Sequence, residues 1–333
     1  MLFRSCAGKS KSYSEVFGGT LVELGRSRSD LVAITAAMRD GTGLAEFSKT
    51  FPDRFFDVGI AEGHGVTFSA GLATEGIRPV VAIYSTFLQR AYDSIVHDVA
   101  IQRLPVVFAM DRAGLVGNDG PTHMGLYDIA FLLAVPNMTV TAPKDGAELA
   151  ALLRLGLAHD GPFTVRYPRD NVPAAVPALA EIPDVEFGTW EVLRRGRGGL
   201  ALLGVGTMVQ PALEAARILE AAGIDATVVN CRFLKPIDAA TFEWVRTKHD
   251  AVITVEEGTV VNGFGAAIAR EIEARRGGDH ETRIVTLGVP DRVIAHASRS
   301  QQLEEVGLTA AAIAEQARSL ALQTGLFPVR ETA

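Results

Sequence analysis

The side chains best suited to chemistry crowd between Asp57 and Gly125. Glu62 stands in AEGH, just after a strand-like run and at the start of a helix. Alone, a carboxylate there is explained by the positive end of the helix dipole. Phe87 and Arg90 follow in YSTFLQRAYD, three residues apart and so on one helical face. An aromatic residue opening a helix is ordinarily core, and an arginine ordinarily a surface cation, although a guanidinium fork is well shaped for phosphate. Tyr84 ends the preceding strand and faces the same cleft. A third block, MDRAGLVGNDGPTHMG, contributes Asp111, Arg112, Asp119 and His123. Its Asp, Asn, Gly and Pro content alone indicates turns, while a histidine there can exchange a proton near neutral pH. Arg169, in RYPRD, is a further candidate. Two or three arginines converging on one cleft would favour a phosphorylated substrate.

Each block follows an apolar run, and strands that deliver polar loops to one rim are how α/β proteins present chemistry. Apolar spacing predicts helices over 13–24, 44–49, 61–75, 87–102, 128–133 and 145–159. It predicts strands over 31–35, 54–58, 79–84, 105–110, 138–142 and 163–166. That alternation implies a parallel, doubly wound sheet. Residues 171–188 are rich in proline and alanine and read as a linker. Alternation then resumes, with strands at 200–204, 226–230, 251–256 and 283–287 and helices at 208–222, 239–248, 265–275 and after Ser298 and Thr309. The expected organisation is two doubly wound α/β domains, 12–170 and 189–325. Residues 1–11 show no periodicity and read as a tail, native or not.

The chain has 333 residues, 48% hydrophobic and 21% charged, enough for two domains with real cores. A net charge of −7 argues against a broad nucleic-acid surface. No apolar run approaches the roughly 18 residues of a membrane-spanning helix, and no signal-peptide pattern opens the chain. Cys6 and Cys231 lack metal-ligand spacing and read as free thiols of a reducing cytoplasm.

The three blocks resemble the 1-deoxy-D-xylulose-5-phosphate synthases of the transketolase family, which depend on thiamine diphosphate, over residues 12–316. The resemblance implies a transketolase-like pyrimidine-binding domain followed by a transketolase C-terminal domain. It implies the condensation of pyruvate with glyceraldehyde 3-phosphate in isoprenoid and thiamine precursor synthesis. In the family the residue matching Glu62 hydrogen-bonds the aminopyrimidine ring and favours the imino tautomer, whose nitrogen removes the thiazolium C2 proton. The match to Phe87 stacks on that ring, and the match to Arg90 binds substrate phosphate. The matches to Arg112 and Arg169 lie near that phosphate, and Asp119 and His123 sit in a DGxTHxG motif whose histidine contacts substrate. His64 is expected against the cofactor pocket wall or satisfied by backbone, His97 and Asp98 in interface or structural roles, and Glu256, Glu257 and His296 in structural ones. One departure stands out: the family has AEQHA where this chain has AEGHG, so Gly63 and Gly65 loosen the helix start by about 1 kcal/mol each.

In the family a GDG motif and a later asparagine, in a domain upstream, hold the diphosphate through Mg²⁺. No GDG tripeptide occurs here. The expectation is therefore a chain that holds the aminopyrimidine half of the cofactor, with Mg²⁺ and the diphosphate left to a further domain. It would be part of a longer synthase, forming a homodimer through both domains, or one subunit of a heterotetramer. The motifs are closer to the one-chain synthases than to 2-oxoacid dehydrogenase β subunits, which share length and domain order. A split transketolase-like or 2-oxoacid dehydrogenase subunit, and a non-catalytic interaction module, are the alternative readings.

Overall fold

The computed structural model describes residues 10–197, 199–275 and 282–326. Cys6 and residues 1–9 of the expected tail lie outside them. The strands are β1 (Leu31–Thr35), β2 (Phe55–Asp57), β3 (Arg78–Tyr84), β4 (Val107–Asp111), β5 (Thr139–Thr141), β6 (Phe163–Arg166), β7 (Glu191–Arg194), β8 (Leu200–Gly204), β9 (Thr227–Asn230), β10 (Phe233–Lys235), β11 (Ala251–Thr259) and β12 (Arg283–Val289). The helices that matter here are α1 (Tyr13–Ser27), α2 (Ala45–Thr50), α3 (Glu62–Thr74), α4 (Ser85–Leu88), α5 (Tyr92–Ser94), α6 (Asp128–Leu133), α7 (Gly146–Ala158), α8 (Val209–Ala221), α9 (Ala239–Lys248), α10 (Phe264–Ala274), α11 (Arg299–Glu305) and α12 (Ala310–Gln323).

Two sheets result. The first has the order β10-β5-β6-β4-β3-β1-β2 and the second β12-β11-β8-β9-β7. The pairs among β1–β6 and among β8, β9, β11 and β12 are parallel, whereas β10 and β7 each join an edge antiparallel. Central strands such as LVAIT and LALLG are buried at every position, as strands covered on both faces must be. Helix starts follow their caps. Ser12 and Glu15 form a capping box on α1, and Asp145 and Asp238 cap α7 and α9.

The structure departs from the sequence expectations in several places, the unexpected edge strand β7 among them. Residues 87–102 do not form one helix: α4 gives way to a 3-10 turn at Gln89–Ala91, then α5, then a π-helical stretch at Ile95–Ala100. The Ile101 and Leu104 amides donate to Val96 and Val99, five residues back, a widened turn that keeps Ile95, Val99 and Ala100 buried. Secondly, β10 comes from beyond the expected linker yet pairs with β5 of the first sheet. Trp190 donates from Nε1 to the Phe233 carbonyl at 2.6 Å, and one hydrophobic core runs from Phe17 through Phe233 to Phe264. The two domains therefore share a core. Thirdly, the end of the expected tail is tied down: the Ser10 hydroxyl donates to the Val172 carbonyl and the Val172 amide to the Lys11 carbonyl.

Candidate active site

Five loops meet at the C-terminal edge of the first sheet, beside β1, where the strand order turns back on itself; α/β sheets bind ligands there. Register sets the neighbours. Thr35 pairs with Asp57 across β1 and β2, and Tyr84 with Asp111 across β3 and β4. Asp57 then ties two loops together, its Oδ1 accepting the amides of Ala37 at 2.7 Å and Gly59 at 3.0 Å. The turn needs Gly59, at φ +70°. It delivers Glu62 to the first turn of α3, where the side chain is almost wholly buried beside the unsatisfied amides of the helix start.

The Glu62 carboxylate is ion-paired with Arg90, whose Nη1 lies 2.6 Å from Oε1. The same guanidinium sits 5.0 Å from the centroid of the Phe87 ring. Phe87, on α4, and Arg90, in the 3-10 turn that follows, are three residues apart and so share one face. Phe87 stacks on Tyr84 at 5.9 Å and meets the His123 ring edge-on at 5.2 Å. A wall of three rings thus flanks one buried carboxylate.

Arg112 closes the other side. Its backbone is in the left-handed region, φ +59°, a strained state for a side chain of this size and one that tends to occur at functional positions. The guanidinium lies 3.8 Å over the Tyr84 ring, donates to the Gly41 carbonyl at 3.0 Å and reaches Asp119 at 3.2 Å and Asp111 at 3.3 Å. Arg169 reaches the second Asp119 oxygen at 3.1 Å. Two arginines therefore converge through one carboxylate. Open clefts of about 520 and 530 Å³ adjoin the cluster, lined in part by Arg112, Arg169, Asp40 and Tyr84. They are roomier than the cleft of about 360 Å³ beside Arg246 and Leu320 in the second domain.

Tyr84, Phe87, Arg90, Arg112, Asp119, His123 and Arg169 are thus joined in one chain of contacts that reaches Glu62 through Arg90. His64 lies apart from these contacts, exposed and stacked on Phe68 at 6.1 Å. His97 is exposed and paired with Asp93, and Asp98 accepts the Thr67 hydroxyl at 2.5 Å.

Sequence reasoning missed Ser14 and the role of Asp111. Asp111 is fully buried at the end of β4 and accepts the Ser14 hydroxyl at 2.5 Å. Burial pushes its carboxyl up to about 6, against the opposing effects of the Ser14 hydrogen bond and the Arg112 charge. Between its ordinary value and about 6, the folded chain holds a proton that the unfolded chain has released. Stability is therefore lost as pH rises through that window. Asp111→Asn should gain on the native chain by up to about 3 kcal/mol between pH 4 and pH 7.5. Urea unfolding at both pH values measures this, and a difference that does not change with pH would show an ordinary carboxyl.

Residue Gly63 has room for a side chain, since an added Cβ would meet nothing nearer than Ser94 Oγ at 3.8 Å. Gly65 is tighter, with Val58 at 3.3 Å. Gly63→Ala is expected to stabilise the chain by about 0.5–1 kcal/mol. A lowered unfolding midpoint would show that the glycine is needed for the backbone itself.

Comparison with known proteins places this geometry. The transketolase pyrimidine-binding domain model matches residues 9–175, and the transketolase C-terminal domain model residues 188–313. The chain belongs to the transketolase family. It is 49% identical over 303 residues to 1-deoxy-D-xylulose-5-phosphate synthase 1 of Geobacter sulfurreducens, covering 91% of this chain and 47% of that one. The synthase of a Cyanothece species is 51% identical over 309 residues, covering 92% and 48%. This transketolase-family chain spans about half the length of these curated relatives. A solved split-gene transketolase, described as an inactive β4 tetramer, superposes with a TM-score of 0.83 at 32% identity, covering 93% of this chain and 98% of that one. A transketolase mutant from Pichia stipitis has the same fold, with a TM-score of 0.78 at 16% identity over 96% and 47%. A transketolase pyrimidine-binding domain implies thiamine diphosphate as the cofactor. Among the described residues, no helix is long and apolar enough to cross a membrane, and no group of three His, Cys, Asp or Glu side chains is placed to hold a metal.

Proposed function

We propose that this chain supplies the aminopyrimidine half of a thiamine-diphosphate site that condenses pyruvate with glyceraldehyde 3-phosphate, releasing carbon dioxide and forming 1-deoxy-D-xylulose 5-phosphate. The observation that carries this reading is the buried Glu62 carboxylate beside the Tyr84, Phe87 and His123 rings. That combination fits a flat, hydrogen-bonding heteroaromatic ring, which needs an aromatic face and an acid at its edge. When bound, thiamine diphosphate supplies a carbanion equivalent at its thiazolium ring.

The chain's own residues divide the remaining work. Glu62 holds a proton at the ring nitrogen, and Phe87 orients the ring by stacking. Arg90, Arg112 and Arg169 bind the phosphate of the acceptor, with Tyr84 bounding the cleft. Asp119 and His123 bind substrate hydroxyls, and His123 moves a proton near neutral pH. In the structure Arg90 is engaged by Glu62 and Arg169 by Asp119, so binding a phosphate requires both arginines to divide or exchange partners. A further domain, in the same chain or in a partner, supplies the diphosphate and Mg²⁺ sites. The assembly is a homodimer or a heterotetramer, located in the cytoplasm.

A second reading has one specific observation in its favour. The split-gene transketolase is covered almost end to end by this chain, which supports a stand-alone subunit using another ketose or 2-oxoacid donor. Product analysis separates the two. The assembled enzyme should release carbon dioxide from pyruvate only when glyceraldehyde 3-phosphate is present, and should not turn over xylulose 5-phosphate. Turnover of xylulose 5-phosphate alone would favour the second reading, and no product from either donor would leave a non-catalytic module.

A further inference from the structure

The loop carrying Asp119 and His123 is fastened from beneath by the C-terminal domain. Glu257, on β11, is buried, and both of its oxygens are occupied. Oε1 accepts the Leu115 amide at 2.8 Å and Arg299 Nε at 3.1 Å, while Oε2 accepts the Thr207 hydroxyl at 3.1 Å and Arg299 Nη2 at 2.5 Å. The third arm of Arg299 reaches Asp170 at 2.6 Å, and Asp170 directly follows the arginine that holds Asp119. Gly114 lies against the same carboxylate: it has φ +85°, and a Cβ there would fall 2.7 Å from Glu257. Further along the loop, the Gly117 amide donates to Gln302 at 3.0 Å, and His296 Nε2 lies 3.1 Å from the Asn118 carbonyl.

This is more hydrogen bonding than a domain contact needs. A buried carboxylate with two bonds to a guanidinium fork has one preferred geometry. Here that geometry spans two of the segments to which substrate-binding roles are given above. We propose that Glu257 and Arg299 are positioning residues, by which the C-terminal domain sets the relative placement of the Asp119–His123 loop and the Arg169 segment. The functional consequence rests on the substrate-binding roles given to Asp119, His123 and Arg169 above; the positioning itself does not.

Hydrogen–deuterium exchange on the full chain tests the positioning alone. Glu257→Gln keeps the shape, removes the charge and leaves the Arg299 fork without the carboxylate it grips. Amides of residues 113–120 should exchange at least about tenfold faster, while those of β4 and β8 keep their rates. Arg299→Lys, which keeps the charge but not the fork, should give an intermediate increase, and it carries the same comparison if the glutamine variant does not fold. Unchanged loop exchange, or an increase shared equally by the whole chain, would overturn the proposal and leave Glu257 a purely structural residue. In the assembled enzyme, Glu257→Gln should raise the KM for glyceraldehyde 3-phosphate more than it lowers kcat. A loosened loop with an unaltered KM upholds the positioning and instead removes Asp119 and His123 from substrate binding.

Discussion

Glu62→Gln should lower turnover of the assembled enzyme by roughly 10²–10⁴-fold, the range that a positioned proton-transfer group contributes, with the fold retained. The glutamine has the size of the carboxylate and can still hydrogen-bond a ring nitrogen, but it cannot exchange a proton there. The structural cost is small because the Arg90 side chain is 57% exposed and can return to water once its partner is gone. Steady-state kinetics paired with thermal unfolding makes the check. Full activity in the variant would sink the role given to Glu62. Activity lost together with the fold would show that the Glu62–Arg90 pair is structural.

The largest stability effect is expected elsewhere, at Arg166→Met. Arg166 lies at the end of β6 and donates from Nε to Asp128 at 2.8 Å and from Nη2 to the Glu257 carbonyl at 3.1 Å. The side chains are 6% and 0% exposed. Removing the guanidinium strands the Asp128 carboxylate in the shared core, a loss of about 3–5 kcal/mol for a broken buried pair. Adding Asp128→Asn should recover most of that loss, since no buried charge then remains without a partner. Urea unfolding of the two single variants and the double variant measures this. A single-variant loss below about 1 kcal/mol, the range of an exposed pair, would rule out a desolvated pair.

Glu256 neighbours this pair and completes the charged seam between the domains. It is fully buried and accepts the amides of Phe264 at 2.9 Å and Gly265 at 2.7 Å, at the start of α10. Burial outweighs those bonds and pushes its carboxyl up to about 7. Like Asp111, it costs stability once ionised, a loss that grows as pH rises from its ordinary value to about 7. Both sit where one domain meets either the site or its neighbour.

Much of this protein was legible without its structure. Helix α9 occupies the stretch its spacing predicts, because the N-cap Asp238 and the apolar period act within a few residues. Strands such as β1 and β8 are continuous apolar runs bounded by turns, also a local signal. The motif blocks were visible in the sequence, and the contacts that link Arg112, Tyr84 and Phe87, with Arg90 on Glu62, follow from parallel register, which brings successive strand ends to one edge.

What the tertiary structure decided was long-range. β10 has three residues, too few to show a period, and its place in the first sheet depends on pairing with β5 from another part of the chain. The π-helical turn after α5 contains neither Gly nor Pro, and it turns Ile95, Val99 and Ala100 into the core. Glu257 meets Leu115 across 142 residues, and nothing in EEGTVV says which of its carboxylates turns toward a loop and which caps a helix. Local residue types set the elements and the chemistry available. Packing alone chose the partners, because a buried charge takes the nearest group that can satisfy it, wherever that group lies in the chain.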